Sequence, residues 1–256
     1  MAIKAGRVSY LSCEPFYFSM AERGIELQDI APSDMAAALE NGVIDAGLVP
    51  LTDCLRIGDR FQTVAGFCLA TIRKAGSVLL HSQQPIQELA GARIGIAAEA
   101  ATASQLLRIL LEMKYEVQPK AYVTLEDPHN AFLLIGDQAL RRRGGLRDFP
   151  HKYDLGEEWN QWTSLPFVFA RWVVRKDIAP QDSTILEDTL YSGLQDWADG
   201  LYHLSDSRNN LRMHPQDIIE YSQGLRYFIG VPEQRAIDRF QQYLDQLNAN
   251  EGGSSG

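Results

Sequence analysis

Ser9, Tyr10, Ser12, Ser77, Thr102 and Ser104 are the residues of this chain best placed to do chemistry. Each carries a hydroxyl at a strand end or a helix start, where O–H and backbone N–H groups can together hold a carboxylate. Ser9, Tyr10 and Ser12 follow the first strand-like run, Ser77 opens a second group of strands, and Thr102 and Ser104 begin an amphipathic helix that continues over Ala103. Gly136 and Asp137 occupy the loop after a further apolar strand. Singly these residues are unremarkable, because Ser and Thr cap helices everywhere. On two facing groups of loops they suit a small, carboxylate-rich ligand.

Other chemistries find no support. The chain contains no GxSxG, HExxH, Walker A or GxGxxG signature. His81, His129, His151, His203 and His214 are scattered without metal-ligand spacing, so no metal site is predicted. Arg141, Arg142 and Arg143 before Gly144 and Gly145 read as a solvated helix end, and Glu157 with Glu158 as a first helical turn favouring the dipole.

The elements that must position these groups run in a telling order. Arg7–Leu11 is β-prone, FYFSMAERG reads as a helix ended by Gly24, and Ile25–Ile30 as a strand. Ser33 is placed to cap the helix that ends at Asn41 and Gly42, and VIDAGLVPL follows as a strand. Two β-loop-α units in so short a span argue for a parallel sheet, with ligands at its strand ends. Phe61–Ile72 is then an outgoing crossing, followed by strands at 77–81, 92–97, 121–125 and 131–135.

The stretch 154–175, DLGEEWNQWTSLPFVFARWVVR, sets Trp159 and Trp162 on one face of a short helix. After the break at Thr163, Ser164 and Pro166 comes an apolar run with one Arg, taken as the return crossing; a helix packed on a central strand of a single α/β domain is the competing interpretation. Helices over 183–201 and 215–247, the latter interrupted at 224–232, finish the chain. The expected fold is therefore α/β and two-lobed, with a ligand cleft between the lobes. Residues 1–74 and 169–250 form lobe 1, 75–168 lobe 2, and 251–256 a flexible tail.

Composition narrows the partners. At 256 residues, 45% hydrophobic and 22% charged, the chain is globular and long enough to bury a sizeable core. A net charge of −9 disfavours nucleic acid and anionic membranes, which are bound by clustered Lys and Arg. A local cluster of donors still serves a small anion. Cys13, Cys54 and Cys68 form no CxxC and suit a reducing compartment; the first residues do not read as a signal peptide and there is no bilayer-length apolar run, so a cytoplasmic location is expected.

The motif at 154–175, with LLIGDQAL at 133–140, GSVLLHS at 76–82, RVSYLSCEPFYF at the start and YSQGLRYFIGVPEQRAIDRF near the end, resembles the menaquinone-biosynthesis chorismate dehydratase family of the futalosine pathway. The sister dihydroxynaphthoate synthases typically carry LPLPLG where this chain has LPFVFA. The resemblance implies a type II periplasmic-binding-protein-like fold and a lyase that removes water from chorismate without metal or organic cofactor. Ring-proton loss is followed by loss of hydroxide, with the substrate's own enolpyruvyl carboxylate proposed as base. It further implies Ser12 and Ser77 as catalytic positions, with Ser9, Tyr10, Thr102, Ala103, Gly136 and Asp137 binding substrate. Ser12 stands where the family usually has Asn, Ala103 where it usually has Ser, and Glu14 lies beside the first loop. A non-catalytic binding protein on the same fold, or an enzyme for another cyclic carboxylate, are the alternatives.

Overall fold

A computed structural model describes residues 3–201 and 203–253. In chain order its elements are β1 (Lys4–Arg7), α1 (Glu14–Tyr17), β2 (Glu26–Asp29), α2 (Met35–Glu40), β3 (Ala46–Pro50), α3 (Leu51–Ile57), β4 (Phe61–Thr71), β5 (Val78–Ser82), β6 (Arg93–Ile96), α4 (Ala101–Ile109), β7 (Ala121–Thr124), β8 (Ala131–Ile135), α5 (Gly136–Arg141), β9 (His151–Asp154), α6 (Leu155–Thr163), β10 (Phe167–Arg175), α7 (Pro180–Leu201), α8 (Pro215–Gln223), β11 (Leu225–Phe228) and α9 (Val231–Gly253). The chain divides into two compact units, residues up to Leu69 with Phe169–Phe228, and Ala70–Val168 with Ile229 onward. Two of the three changes of unit fall inside a long strand, β4 and β10, and the third falls between β11 and α9.

The first unit is built on a sheet of order β11-β4-β10-β3-β1-β2, with β1 parallel to β2 and β3, and β10 antiparallel to β3. All five residues of β3 are buried, which is why its sequence is continuously apolar rather than alternating. Phe16 packs edge-on against Phe67, Trp172 and Tyr227 at centroid distances of 6.5, 5.7 and 5.2 Å. α7 buries Leu186, Thr189, Leu190 and Gly193, the i, i+3, i+4, i+7 stripe of a helix lying on a core.

The second unit has a sheet of order β7-β6-β8-β5-β9, in which β5 is antiparallel to β8 and β9, and β6 parallel to β7 and β8. Trp159 of α6 lies 5.3 Å from Phe167 and 6.3 Å from Phe240, and Trp162 stacks on Tyr243 at 4.8 Å. These contacts group α9 with the second unit, whereas the sequence pattern left 169–250 together.

Several local expectations are corrected. α1 stops at Tyr17 instead of running to Gly24, because Ser19 bonds Asp196 at 3.0 Å and Arg23 bonds Ser192 at 2.8 Å, holding the segment in turns against α7. Ser33 lies inside a 3-10 turn and α2 has no side-chain cap. The interruption before Pro232 contains a strand, β11, and Gly136 opens α5 rather than sitting in a loop. α9 continues through Gly253 into the expected tail, whose last residues, 254–256, lie outside the described residues.

Among the described residues no helix is long and apolar enough to cross a membrane, and no group of three or more His, Cys, Asp or Glu could hold a metal. None of the three cysteines forms a disulfide.

Candidate functional site

In the second unit the sheet register collects five of the candidate residues at one edge. β5 runs antiparallel to β8 with Val78 opposite Ile135, so Ser77, just before β5, lies beside Gly136, just after β8. The Gly136 N–H donates to the Ser77 carbonyl at 2.8 Å. Gly136 has a positive φ of 55°, a conformation L residues with a Cβ rarely adopt, so Gly at this strand-to-helix corner fixes the approach of Asp137.

β6 is parallel to β8 with Ile96 opposite Leu133, and the Ala97 N–H donates to the Leu133 carbonyl at 3.2 Å. α4 starts at the same edge, bringing Thr102 and Ala103 there, both buried. Ser104 is spent locally, its hydroxyl donating to the Ala101 carbonyl at 2.8 Å. The edge is the carboxyl end of two parallel strands, where open α/β sheets bind ligands.

Ser77 is 8% exposed, and its hydroxyl makes a long hydrogen bond of 3.4 Å to the Ala75 carbonyl. Ala75 and Gly76 donate their N–H groups to the Asp154 carboxylate at 2.9 and 2.7 Å. The same carboxylate caps α6, accepting from Gly156 at 3.0 Å and Glu157 at 3.1 Å. Burial pushes the Asp154 carboxyl above the ordinary carboxylate range, while these N–H donors pull in the other direction. Gly156 is required by proximity: a Cβ there would lie 2.8 Å from the Ala75 nitrogen and 3.0 Å from the Arg73 carbonyl oxygen.

In the first unit, Ser9, Tyr10 and Ser12 share the segment after β1. The Ser9 hydroxyl is turned toward Asp29 at 3.5 Å, and Arg7 holds Asp29 with a two-pronged ion pair at 2.6 and 2.9 Å. That hydrogen-bonded guanidinium keeps the Asp29 carboxyl below its ordinary range. The Tyr10 carbonyl accepts from Cys13 and Glu14 N–H groups at 2.9 and 3.2 Å and so opens a 3-10 turn.

Ser12 is buried in that turn, its carbonyl accepting from the Tyr227 hydroxyl at 3.2 Å and its Oγ lying 3.7 Å from Cys13 Sγ. Glu14, beside this loop, pairs with Arg208 at 2.7 Å. Two open cavities, of about 460 Å³ beside Glu40, Arg60 and Arg175 and about 360 Å³ beside Arg235 and Arg239, are lined by none of the candidate residues.

Two residues escaped the sequence pattern. Asp154 reads as an ordinary N-cap, and only the fold brings 75–76 to it. Arg171 lies in β10 opposite Val49, one step from the carboxyl end of β3, and its Nε is sealed from solvent without a hydrogen-bond partner. The signal was present as the single charge in an apolar run. Burial pushes the neighbouring Cys54 thiol up to about 12, against the opposing influence of Arg171, which leaves that thiol protonated and unreactive near neutral pH.

Comparison with known proteins places the chain. A family model described as menaquinone biosynthesis matches residues 3–246. A chorismate dehydratase from Thermus thermophilus is 24% identical over 93% of this chain and 94% of its own length. A solved Archaeoglobus fulgidus protein superposes with a TM-score of 0.71 at 12% identity, covering 97% of this chain and 98% of that one. The periplasmic aliphatic sulphonate binding protein SsuA from Escherichia coli gives 0.61 at 14% identity, covering 98% and 92%. The structural likenesses establish a periplasmic-binding-protein fold.

Proposed function

We propose, since the chain belongs to the menaquinone biosynthesis family, that it is a chorismate dehydratase, a lyase that converts chorismate to 3-[(1-carboxyvinyl)oxy]benzoate in the cytoplasm on the futalosine pathway. The likeness to the Thermus thermophilus chorismate dehydratase along nearly the whole of both chains supports the choice of substrate. The observation that carries it is the edge of the five-stranded sheet. There a buried serine is fixed through its carbonyl by Gly136, and its hydroxyl's bond to the Ala75 carbonyl is long, at 3.4 Å, so that a closer ligand acceptor competes well with it.

The reaction needs little from the protein beyond binding and orientation. Loss of the ring proton and the hydroxyl makes the ring aromatic, which supplies the driving force. The substrate's own enolpyruvyl carboxylate takes the proton, so the chain's residues hold the two carboxylates and orient the leaving hydroxyl. Ser77 and Thr102 donate hydroxyl hydrogen bonds, and the first N–H groups of α4 with that of Asp137 add backbone donors; Ser9, Tyr10 and Ser12 are the first unit's own candidate donors. Arg171 supplies a cation in a chain whose net charge is −9. A guanidinium and a carboxylate make the stronger class of hydrogen bond.

The test is incubation of the purified protein with chorismate, following product by chromatography and mass alongside thermal shift. Wild type is expected to make 3-[(1-carboxyvinyl)oxy]benzoate, and Ser77→Ala to be slower by about 10- to 100-fold, the worth of one hydrogen bond of roughly 1–3 kcal/mol. Thermal stabilisation without product would instead mean a binding protein on this fold. The absence of both product and stabilisation would overturn chorismate as the ligand.

A further inference from the structure

Asp154 ends β9 and caps α6, but its carboxylate reaches further than a cap. Oδ1 accepts from Gly156, Glu157 and Ala75, and Oδ2 accepts from Gly76. Two of these donors belong to its own helix. The other two belong to the segment leading into β5 and stop one residue short of Ser77. Ala75, held by its N–H, offers its carbonyl to the Ser77 hydroxyl, and Ser77 in turn accepts from Gly136.

The same helix fastens the rest of that segment. Asn160 Nδ2 donates to the carbonyls of Ile72 at 3.1 Å and Leu165 at 3.0 Å, and Gly156 leaves room for the backbone at Arg73 and Ala75. A helix needs only one acceptor at its N-cap, so the second oxygen of Asp154 is free to serve another strand. A carboxylate accepts on both oxygens, whereas an amide would turn an NH2 group toward one of the N–H donors.

We propose that Asp154 is a positioning residue for Ser77: its carboxylate clamps the backbone of Ala75 and Gly76 to the start of α6 and thereby sets where the Ser77 hydroxyl meets substrate. This rests on the assignment of Ser77 to the substrate site of a dehydratase. The amide variant separates the two jobs of the carboxylate, because Asn is as good an N-cap as Asp and α6 keeps its cap while Gly76 faces an NH2 group.

The experiment is a double-mutant cycle of Asp154→Asn and Ser77→Ala, read as kcat and KM on chorismate, with thermal unfolding of each variant. Asp154→Asn is expected to lower kcat about 10-fold or more with a smaller change in KM. The double variant should be no slower than Ser77→Ala alone, since a misplaced hydroxyl costs nothing once it has been removed. Asp154→Glu, which keeps the charge but lengthens the arm, should not restore kcat.

If Asp154→Asn only lowers the unfolding temperature and leaves kcat and KM unchanged, the residue is structural and the inference falls. Losses that multiply in the double variant overturn it equally, because the two residues then act independently. An inactive wild type overturns the dehydratase assignment and this inference together, whereas an active wild type with multiplying losses overturns this inference alone.

Discussion

Acidification should destabilise this protein through His81, and the size of the effect follows from its surroundings. His81 is fully buried in β5, stacked 5.2 Å from Phe132 at an interplanar angle of 24°, and neither ring nitrogen has a hydrogen-bond partner. Burial, reinforced by the positive charges of Lys152 and Arg142, pushes its pKa down to about 4. An unfolded histidine titrates near 6.5, so between those values the unfolded chain takes up a proton that the folded chain refuses. Stability from this group is complete above about pH 6.5, is lost as pH falls toward about 4, and is flat below that.

At about 1.4 kcal/mol per pH unit the loss amounts to about 3 kcal/mol, or roughly 6–12 °C in unfolding temperature for a chain of this size. His81→Leu, close in volume, removes the titration. It also removes two orphaned polar atoms, a gain of about 1–3 kcal/mol that outweighs the roughly 0.5–1.5 kcal/mol of lost stacking. The assay is thermal unfolding of both proteins from pH 8 to pH 4. The variant should match or exceed wild type at pH 8 and fall less steeply below pH 6.5. Parallel curves for the two proteins would refute the assignment of the acid limb to His81.

Two further substitutions test the site and its support. Arg171→Met should weaken chorismate binding about 10-fold or more, the worth of a charge-assisted hydrogen bond of roughly 1.5–3 kcal/mol, without lowering the unfolding temperature, because it also removes the orphaned Nε; calorimetric titration giving wild-type affinity would exclude Arg171 from the ligand. Gly156→Ala should cost about 1–3 kcal/mol, since the new Cβ meets backbone atoms at Ala75 and Arg73 rather than yielding side chains; scanning calorimetry showing an unchanged transition would mean that the preceding crossing can shift.

What the sequence made legible depended on whether a constraint is local. β3 and β10 declare themselves as apolar runs because they are buried inside a sheet, and α6 declares its acidic first turn and its two tryptophans within a few residues. The hydroxyls at 77 and 102 were visible as strand-end and helix-start residues for the same reason. The helix expected through Gly24 failed because its fate is decided by Ser192 and Asp196 on a helix far along the chain. α9 kept company with Trp159 and Trp162 for an equally non-local reason, a stack that hydrophobic periodicity does not encode.

The stretch 154–175 shows what a specific motif can be specific for. Asp154 bonds 75 and 76, Gly156 makes room for 73 and 75, Asn160 bonds 72 and 165, and Trp159 donates to the Pro166 carbonyl at 2.9 Å. Each of these residues answers to at least one partner whose identity matters less than its backbone position, so each tolerates few replacements. Ser9 and Ser77, by contrast, each bring a small hydroxyl to the end of a strand, a requirement that several residue types meet. A stretch can therefore mark a family sharply because structural constraints converge on it, while the groups proposed to touch the ligand remain chemically plain. On that basis, substitutions in α6 should move kcat through Ser77, and substitutions at Ser77 should leave α6 folded.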